Sequence, residues 1–316
     1  MKLIKKSFSF ITAIVCCAAI SSIMPFSSSA EESVKTYGDL SYITLDSDGD
    51  GTDDYAQIVD CNETAVEVDI PAEIEGLPVK STRDWAFADC KSLTSISVPD
   101  SVNAIGNGAF SGCSSLASIN IPNSVTTIRG SAFCNCLSLT SITIPESVTS
   151  IIEGAFAYCS NLITVKIPDS VTDITDKTFY VCSSLTSVTI PDSVTHIGYN
   201  AFKYCKNLTS IIIKNPNCEI SNGKNTIWET ATIYGYENST AQAYAERYYK
   251  RFVAIEDIGD ISGNGKIDLY DAIEIAKAIM GMGTFTEEEK LIADFNKDVT
   301  VDLYDAIEIA RTLLPK

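Results

Sequence analysis

Between Cys90 and Ile213 the apolar residues recur in one fixed order. The unit is C-x-x-L-x-x-I-x-I-P-x-S-V-x-x-I-x-x-x-A-F-x-x. Its starts at Cys90, Cys113, Cys136, Cys159, Cys182 and Cys205 lie 23 residues apart. Five copies are nearly complete. A degenerate copy precedes them, with Val79, Ala86 and Phe87 in place but Thr82 where an Ile belongs, and a sixth begins at Cys205 and loses the pattern after Ile213. A fixed period of this length predicts a solenoid. In one unit Leu93, Ile96 and Val98 interleave with Thr94, Ser95 and Ser97, a short strand with one buried side. Pro99 lacks a backbone donor and ends it. Val102, Ile105, Ala109 and Phe110 supply the rest of an apolar ring that Cys113 closes. One coil cannot bury this ring alone. Coils stacked at about 4.8 Å would give parallel strand ladders and a continuous core. The predicted fold is therefore a mainly β solenoid.

The I-P-x-S-V and A-F-x-x-C elements resemble the BspA-like leucine-rich repeats of bacterial surface and secreted proteins. The resemblance covers about residues 37–255. It implies an N-terminal hairpin cap between Tyr37 and Val79. It also implies a C-terminal cap between Ile233 and Ile255, with a helix around Ser239 to Tyr249. The chain then divides into 31–89 (cap and degenerate repeat), 90–231 (repeats), 232–256 (C-terminal cap) and 257–316, after a leader at 1–30. Stacked equivalent cysteines have parallel Cβ vectors, so free buried thiols are expected rather than bridges. Cys134 stands apart, with Ser111, Ala157, Tyr180 and Lys203 as counterparts, and is expected near the surface. The strand face is a Ser/Thr carpet carrying one lysine, Lys166, and no aromatic ring. It reads as a solvated sheet face or a broad, weak binding surface. Tyr158, Tyr180, Tyr199 and Tyr204 cluster near the A-F-x-x-C corner and form a second candidate patch.

Beyond the repeats, two segments echo each other: DISGNGKIDLYDAIEIAKAI from Asp260 and DFNKDVTVDLYDAIEIARTL from Asp294. Calcium takes six to eight oxygens, drawn in a twelve-residue loop from positions one, three, five, seven, nine and twelve. The first segment offers Asp260, Ser262, Asn264, the Lys266 carbonyl, Asp268 and Asp271. The second offers Asp294, Asn296, Asp298, the Thr300 carbonyl, Asp302 and Asp305. Each loop runs into an apolar-periodic helix, through Ile273, Ile275, Ala276 and Ile279 or Ile307, Ile309, Ala310 and Leu313. Over about Ile258 to Lys316 this resembles a type I dockerin. The resemblance implies a small all-α module with two calcium ions and a cohesin partner on a cellulosomal scaffold. It implies recognition through loop positions ten and eleven, here Leu269-Tyr270 and Leu303-Tyr304, with Lys277 and Arg311 at equivalent helix positions. Identical pairs imply two nearly equivalent faces; alternatively Leu and Tyr close the module's core. Val299 departs from the pattern, because Gly265 fills the sharp-turn position in the first loop and a β-branched residue resists positive φ. A third acidic stretch, DSDGDGTDDYAQ, spaces Asp46, Asp48, Asp50 and Asp54 as calcium ligands but ends on Gln57. It reads as an acidic hairpin turn first and a weak calcium site second.

Charge and the remaining chemistry narrow the function. Lys2, Lys5 and Lys6, an apolar stretch from Phe8 to Met24 and Ser28-Ser29-Ala30 make a secretory signal with cleavage expected after Ala30. Its apolar core is too short for a membrane span. Cleavage takes the net charge from −18 to −21, by removing three lysines and no acids. So acidic a surface disfavours nucleic acid and anionic membrane. The single histidine, His196, has Ala104, Thr127, Ser150 and Asp173 as counterparts and is expected to be exposed, which argues against a Ser-His or Cys-His nucleophile. Asp100, Glu146, Asp169 and Asp192 follow the I-P element in equivalent places, so nothing divides them into an acid and a nucleophile. The expected function is a non-catalytic extracellular adaptor whose solenoid meets a protein, a cell surface or a plant polysaccharide. The alternative is a polysaccharide-active enzyme borne on the dockerin.

Overall fold

The protein is described here by a computed structural model covering residues 33–255, 269–282, 293 and 301–313, without the Tyr270 side chain. The leader at 1–30 lies outside the described residues.

The first ladder takes one short strand from each coil. Ser95–Ser97 pairs in parallel with Ser118–Ile119, Ser141–Thr143 with Thr164–Lys166, and Ser187–Ile190 with Ser210–Ile213. The partners Ser95↔Ser118, Ser141↔Thr164 and Ser187↔Ser210 are equivalent positions of successive repeats, so the sequence period is the sheet register. A second ladder on the next side of the coil runs Thr127–Ile128, Ser150–Ile151, Asp173–Ile174, His196–Ile197, Glu219–Ile220. Between the ladders lies the apolar ring foreseen in the repeat. Leu93, Leu116, Leu139, Leu162, Leu185 and Leu208 are wholly buried, as are Val102, Val125, Val148, Val171 and Val194.

The A-F element is the spine. Phe87, Phe110, Phe133, Phe156, Phe179 and Phe202 are fully buried and stack, with successive ring centroids 5.0 to 5.5 Å apart. This separation matches the rise between neighbouring strands, so each ring fills the space beneath the next without a void. The residue before each repeat cysteine turns the chain with positive φ: Asp89, Gly112, Asn135, Tyr158, Val181 and Tyr204. Gly112 suits that turn; Val181, at φ 61°, is β-branched and strained there.

Both ends are capped. Lys35–Tyr37, Leu40–Leu45 and Tyr55–Cys61 form an antiparallel meander, and Tyr55–Cys61 then pairs in parallel with Leu77–Thr82. At the far end Thr232–Gly235 and Phe252–Ala254 extend the first ladder. Helix α1, Thr240–Tyr248, covers the last coil, its start capped by the Ser239 side chain. Its Tyr244 hydroxyl donates to the Gly223 carbonyl at 2.8 Å and accepts from the Ile227 amide at 3.2 Å, which fixes α1 to the coil beneath. In the C-terminal segment α2, Leu269–Ile279, packs on α3, Leu303–Thr312.

Two expectations are corrected. Cys134 is buried, at 3% exposure. Its stack neighbours Ser111 and Ala157 are small and themselves buried, so adjoining coils close over the thiol. His196 is half-buried rather than exposed. It lies in the second ladder between Asp173 and Glu219, with Nε2 3.2 Å from Ser221 Oγ.

Candidate calcium and docking site

The small core of the C-terminal segment is built from equivalent residues of α2 and α3. Ile275 and Ile309 are fully buried, Ala272 and Ala306 almost so, and Ala293 packs with them. Ile273, Ile279 and Leu313, part of the same apolar period, are exposed. The inward stripe is an i, i+3 pair of alanine and isoleucine on each helix.

Asp271 and Asp305 are each fully buried at the first turn of their helices. Burying a carboxylate is expensive unless hydrogen bonds or a cation compensate it. Some compensation is visible at α3: the Asp302 amide donates to Asp305 Oδ2 at 2.9 Å, and Asp302 Oδ1 accepts from the Tyr304 amide at 2.7 Å. This reciprocal cap places the ninth and twelfth positions of the second loop together at a helix N-terminus. Two buried carboxylates at equivalent turns fit a pair of calcium loops, in which the ion supplies the positive charge that such carboxylates require. Asp260, Ser262, Asn264, Lys266, Asp268, Asp294, Asn296, Asp298, Val299 and Thr300 lie outside the described residues.

Leu269 and Leu303, at equivalent positions of the two units, are 59% and 55% exposed, and Tyr304 is exposed beside Leu303. The reading in which these residues close the core therefore fails for Leu269, Leu303 and Tyr304. Lys277 pairs with Glu274 at 2.7 Å, and Arg311 pairs with Glu308, each one turn away on the same helix.

In the acidic N-terminal stretch the carboxylate oxygens of Asp46, Asp48 and Asp50 lie within 4.8 Å of one another. The carboxylates also serve the turn. Asp46 accepts from the Gly49 and Gly51 amides at 2.6 and 2.8 Å, Asp50 from Thr52, and Asp54 from the amide and hydroxyl of Ser47. These hydrogen bonds hold all three acids below the ordinary carboxylate range, led by Gly51 for Asp46, Thr52 for Asp50 and Ser47 for Asp54.

On the solenoid, Tyr158, Tyr180 and Tyr204 meet edge to face at 5.3 and 5.6 Å. Trp228 extends the row, 4.9 Å from Tyr204. Tyr199 stands outside it, over Gly223. Trp228 escapes repeat reading because the pattern has already decayed, although it stands one coil on from Tyr204. The Ser/Thr face is partly self-satisfied: Thr94 and Thr209 donate to the Val66 and Thr186 carbonyls at 3.0 and 3.1 Å. Glu146, one of the turn acids, is paired with Lys166 at 3.0 Å. A shallow cavity of about 600 Å³ is lined by Asn103, Ala104, Asn107, Ser124, Thr126, Thr127, Arg129 and Ile152, with neither a carboxylate nor an aromatic ring.

Comparison with known proteins agrees with this geometry. Residues 79–223 match the BspA type leucine rich repeat region in six copies, and residues 258–314 match the dockerin type I domain. The chain is a BspA-type leucine-rich-repeat protein with a C-terminal type I dockerin, and neither is a catalytic family. Among solved structures, the leucine rich repeat protein of T. pallidum is 27% identical with a TM-score of 0.54, over 69% of this chain and 97% of that one. A leucine-rich repeat protein from Bacteroides ovatus is 24% identical, over 64% of this chain and 70% of that one, with a TM-score of 0.41. A leucine rich cell surface protein from Faecalibacterium prausnitzii is also 24% identical, over 66% and 78%, with a TM-score of 0.42. No curated protein matches the chain. Among the described residues no helix is long and apolar enough to cross a membrane.

Proposed function

We propose that the chain is a non-catalytic extracellular adaptor. Its dockerin anchors the solenoid to a cohesin-bearing cellulosomal scaffold, and the solenoid presents a binding surface to a protein or polysaccharide. The observation that carries this reading is the duplicated burial pattern of α2 and α3: Asp271 and Asp305 inside, Leu269 and Leu303 outside. Two calcium ions would be held by Asp260, Ser262, Asn264, Lys266, Asp268 and Asp271, and by Asp294, Asn296, Asp298, Thr300, Asp302 and Asp305. The partner faces would be Leu269, Tyr270 and Lys277, and Leu303, Tyr304 and Arg311. The third acidic group at Asp46, Asp48, Asp50 and Asp54 acts first as a turn, since its oxygens already accept backbone amides.

The adaptor reading predicts capture of the full chain by immobilised cohesins in calcium, together with binding to some members of glycan or protein arrays. Hydrolysis of a plant polysaccharide that one carboxylate substitution abolishes would replace it with the enzyme reading.

A further inference from the structure

The shallow cavity of about 600 Å³ lies along the second ladder, at its N-terminal end. Small-molecule sites occupy roughly 300–1,000 Å³. Successive repeats place Ala104, Thr127, Ser150, Asp173, His196 and Glu219 at one position of this ladder. The cavity sits over Ala104 and Thr127, where those side chains are small and uncharged, and the acids begin only at Asp173.

Among the lining residues Arg129 alone is charged. It is exposed, and its guanidinium makes no ion pair or hydrogen bond among the described residues. Acids outnumber lysines and arginines in this chain by 41 to 23, so a base is easily neutralised. Lys166 and Lys177, on later coils, are paired with Glu146 and Glu153 at 3.0 and 2.9 Å. Asp84, joined to the cavity wall through Asn107, has both carboxylate oxygens engaged there: they accept from the Asn107 amide at 2.7 Å and from Asn107 Nδ2 at 3.0 Å. Asn107 Oδ1 accepts from the Gly130 amide at 3.2 Å, and the Ile128 carbonyl accepts from the Ile152 amide at 2.9 Å. The backbone on both sides of Arg129 is thus fixed while its charge is left uncompensated. Asn103, Thr126 and Thr127 line the same cavity, and their side chains have no hydrogen-bond partner among the described residues. Ile152, 38% exposed, adds an apolar wall.

We propose that this cavity binds a uronate, a sugar ring whose carboxylate lies on the Arg129 guanidinium and whose hydroxyls meet Asn103, Thr126 and Thr127. The planar fork of a guanidinium matches a carboxylate with two parallel hydrogen bonds. Uncharged amide and hydroxyl groups suit sugar hydroxyls, and Ile152 suits the ring's C–H face. A neutral sugar would find no aromatic ring to stack on and would exchange hydrogen bonds with water for others of similar strength. A single acidic unit suits the place better than a polyanion, which the net charge of −18 repels. The inference rests on the reading of the solenoid as a binding surface and names the class of ligand.

The test is calorimetric titration of the full chain with methyl β-D-glucuronide, methyl β-D-glucoside and sodium sulfate. The glucuronide should bind, more weakly as salt rises, and the glucoside should not compete with it. Arg129→Gln should weaken glucuronide binding by about tenfold or more, and Arg129→Lys should weaken it less. Because Arg129 is exposed, neither variant should shift the unfolding midpoint. Absence of glucuronide binding, equal binding of the glucoside, or an unchanged isotherm for Arg129→Gln would overturn the proposal. Sulfate binding as tight as the glucuronide would mean a general anion site and overturn the sugar assignment. Cohesin capture in calcium is read on the same preparation. Its loss would count against the adaptor function and leave the sugar site standing, whereas capture without glucuronide binding would remove the sugar site alone.

Discussion

The Asp302 amide donates to Asp305 Oδ2 at 2.9 Å, so this buried carboxylate is held by the residue that begins the helix. In the proposed calcium loop the same side chain would both cap α3 and face the ion. Asp305→Ala should therefore remove a cap, costing the module about 1 kcal/mol even in chelator, and lower calcium affinity as well. Circular dichroism in chelator and calorimetric titration with calcium separate the two losses. An unchanged calcium isotherm would detach Asp305 from the ion.

The phenylalanine spine sets the stability of the solenoid. Phe156 stacks on both Phe133 and Phe179 at 5.5 Å and is fully buried. Phe156→Ala should destabilise the repeats by about 3–5 kcal/mol, read by urea unfolding. A loss below about 1 kcal/mol would mean that coils collapse freely onto the gap, contrary to a close-packed stack.

Val181 carries strain that its repeat does not need, since Gly112 and Asn135 occupy the same turn in other coils. Val181→Asn should raise stability by about 1 kcal/mol, seen as a higher unfolding midpoint with unchanged slope.

Burial pushes the Cys159 and Cys205 thiols up to about 12, as desolvation penalises the thiolate. Both should resist alkylation in the native protein at pH 8 and react fully after denaturation. Rapid native alkylation of either would contradict the packed ladder.

The acidic N-terminal turn has a defined pH dependence. Asp46, Asp50 and Asp54 have folded values below the ordinary 3.8. The folded turn therefore binds protons less readily than the unfolded chain. Its stabilisation is complete above the ordinary value and fades as pH falls through the depressed ones. Amide protection factors at Gly49 and Gly51 in chelator, taken relative to the intrinsic rate at each pH, should fall only below about pH 4, and Asp46→Asn should lower them at neutral pH.

Much of this was legible in the sequence because the repeat length is the sheet register. The rows of Leu, Val, Ile, Phe and Cys followed directly from the repeat period. Cys134 did not, since its burial depends on the smallness of Ser111 and Ala157 in other coils rather than on its own position. His196 is covered by partners that arrive from neighbouring coils, Asp173, Glu219 and Ser221. In the dockerin helices Ile273 and Ile279 share the apolar period with Ile275 yet are exposed, and Ala272 and Ala306 are buried. Ligand spacing marked Asp271 and Asp305, but that they are buried while Leu269 and Leu303 are exposed is a property of the packed pair.

The most direct test of the anchoring function is calorimetry of the full chain against a panel of cohesins, in calcium and in chelator. The account predicts calcium-dependent binding of one cohesin per chain that survives replacement of either Leu269-Tyr270 or Leu303-Tyr304 by alanine and disappears when both pairs are replaced. Tight binding in chelator would contradict the calcium requirement, and a large loss from one pair alone would contradict the equivalence of the two faces.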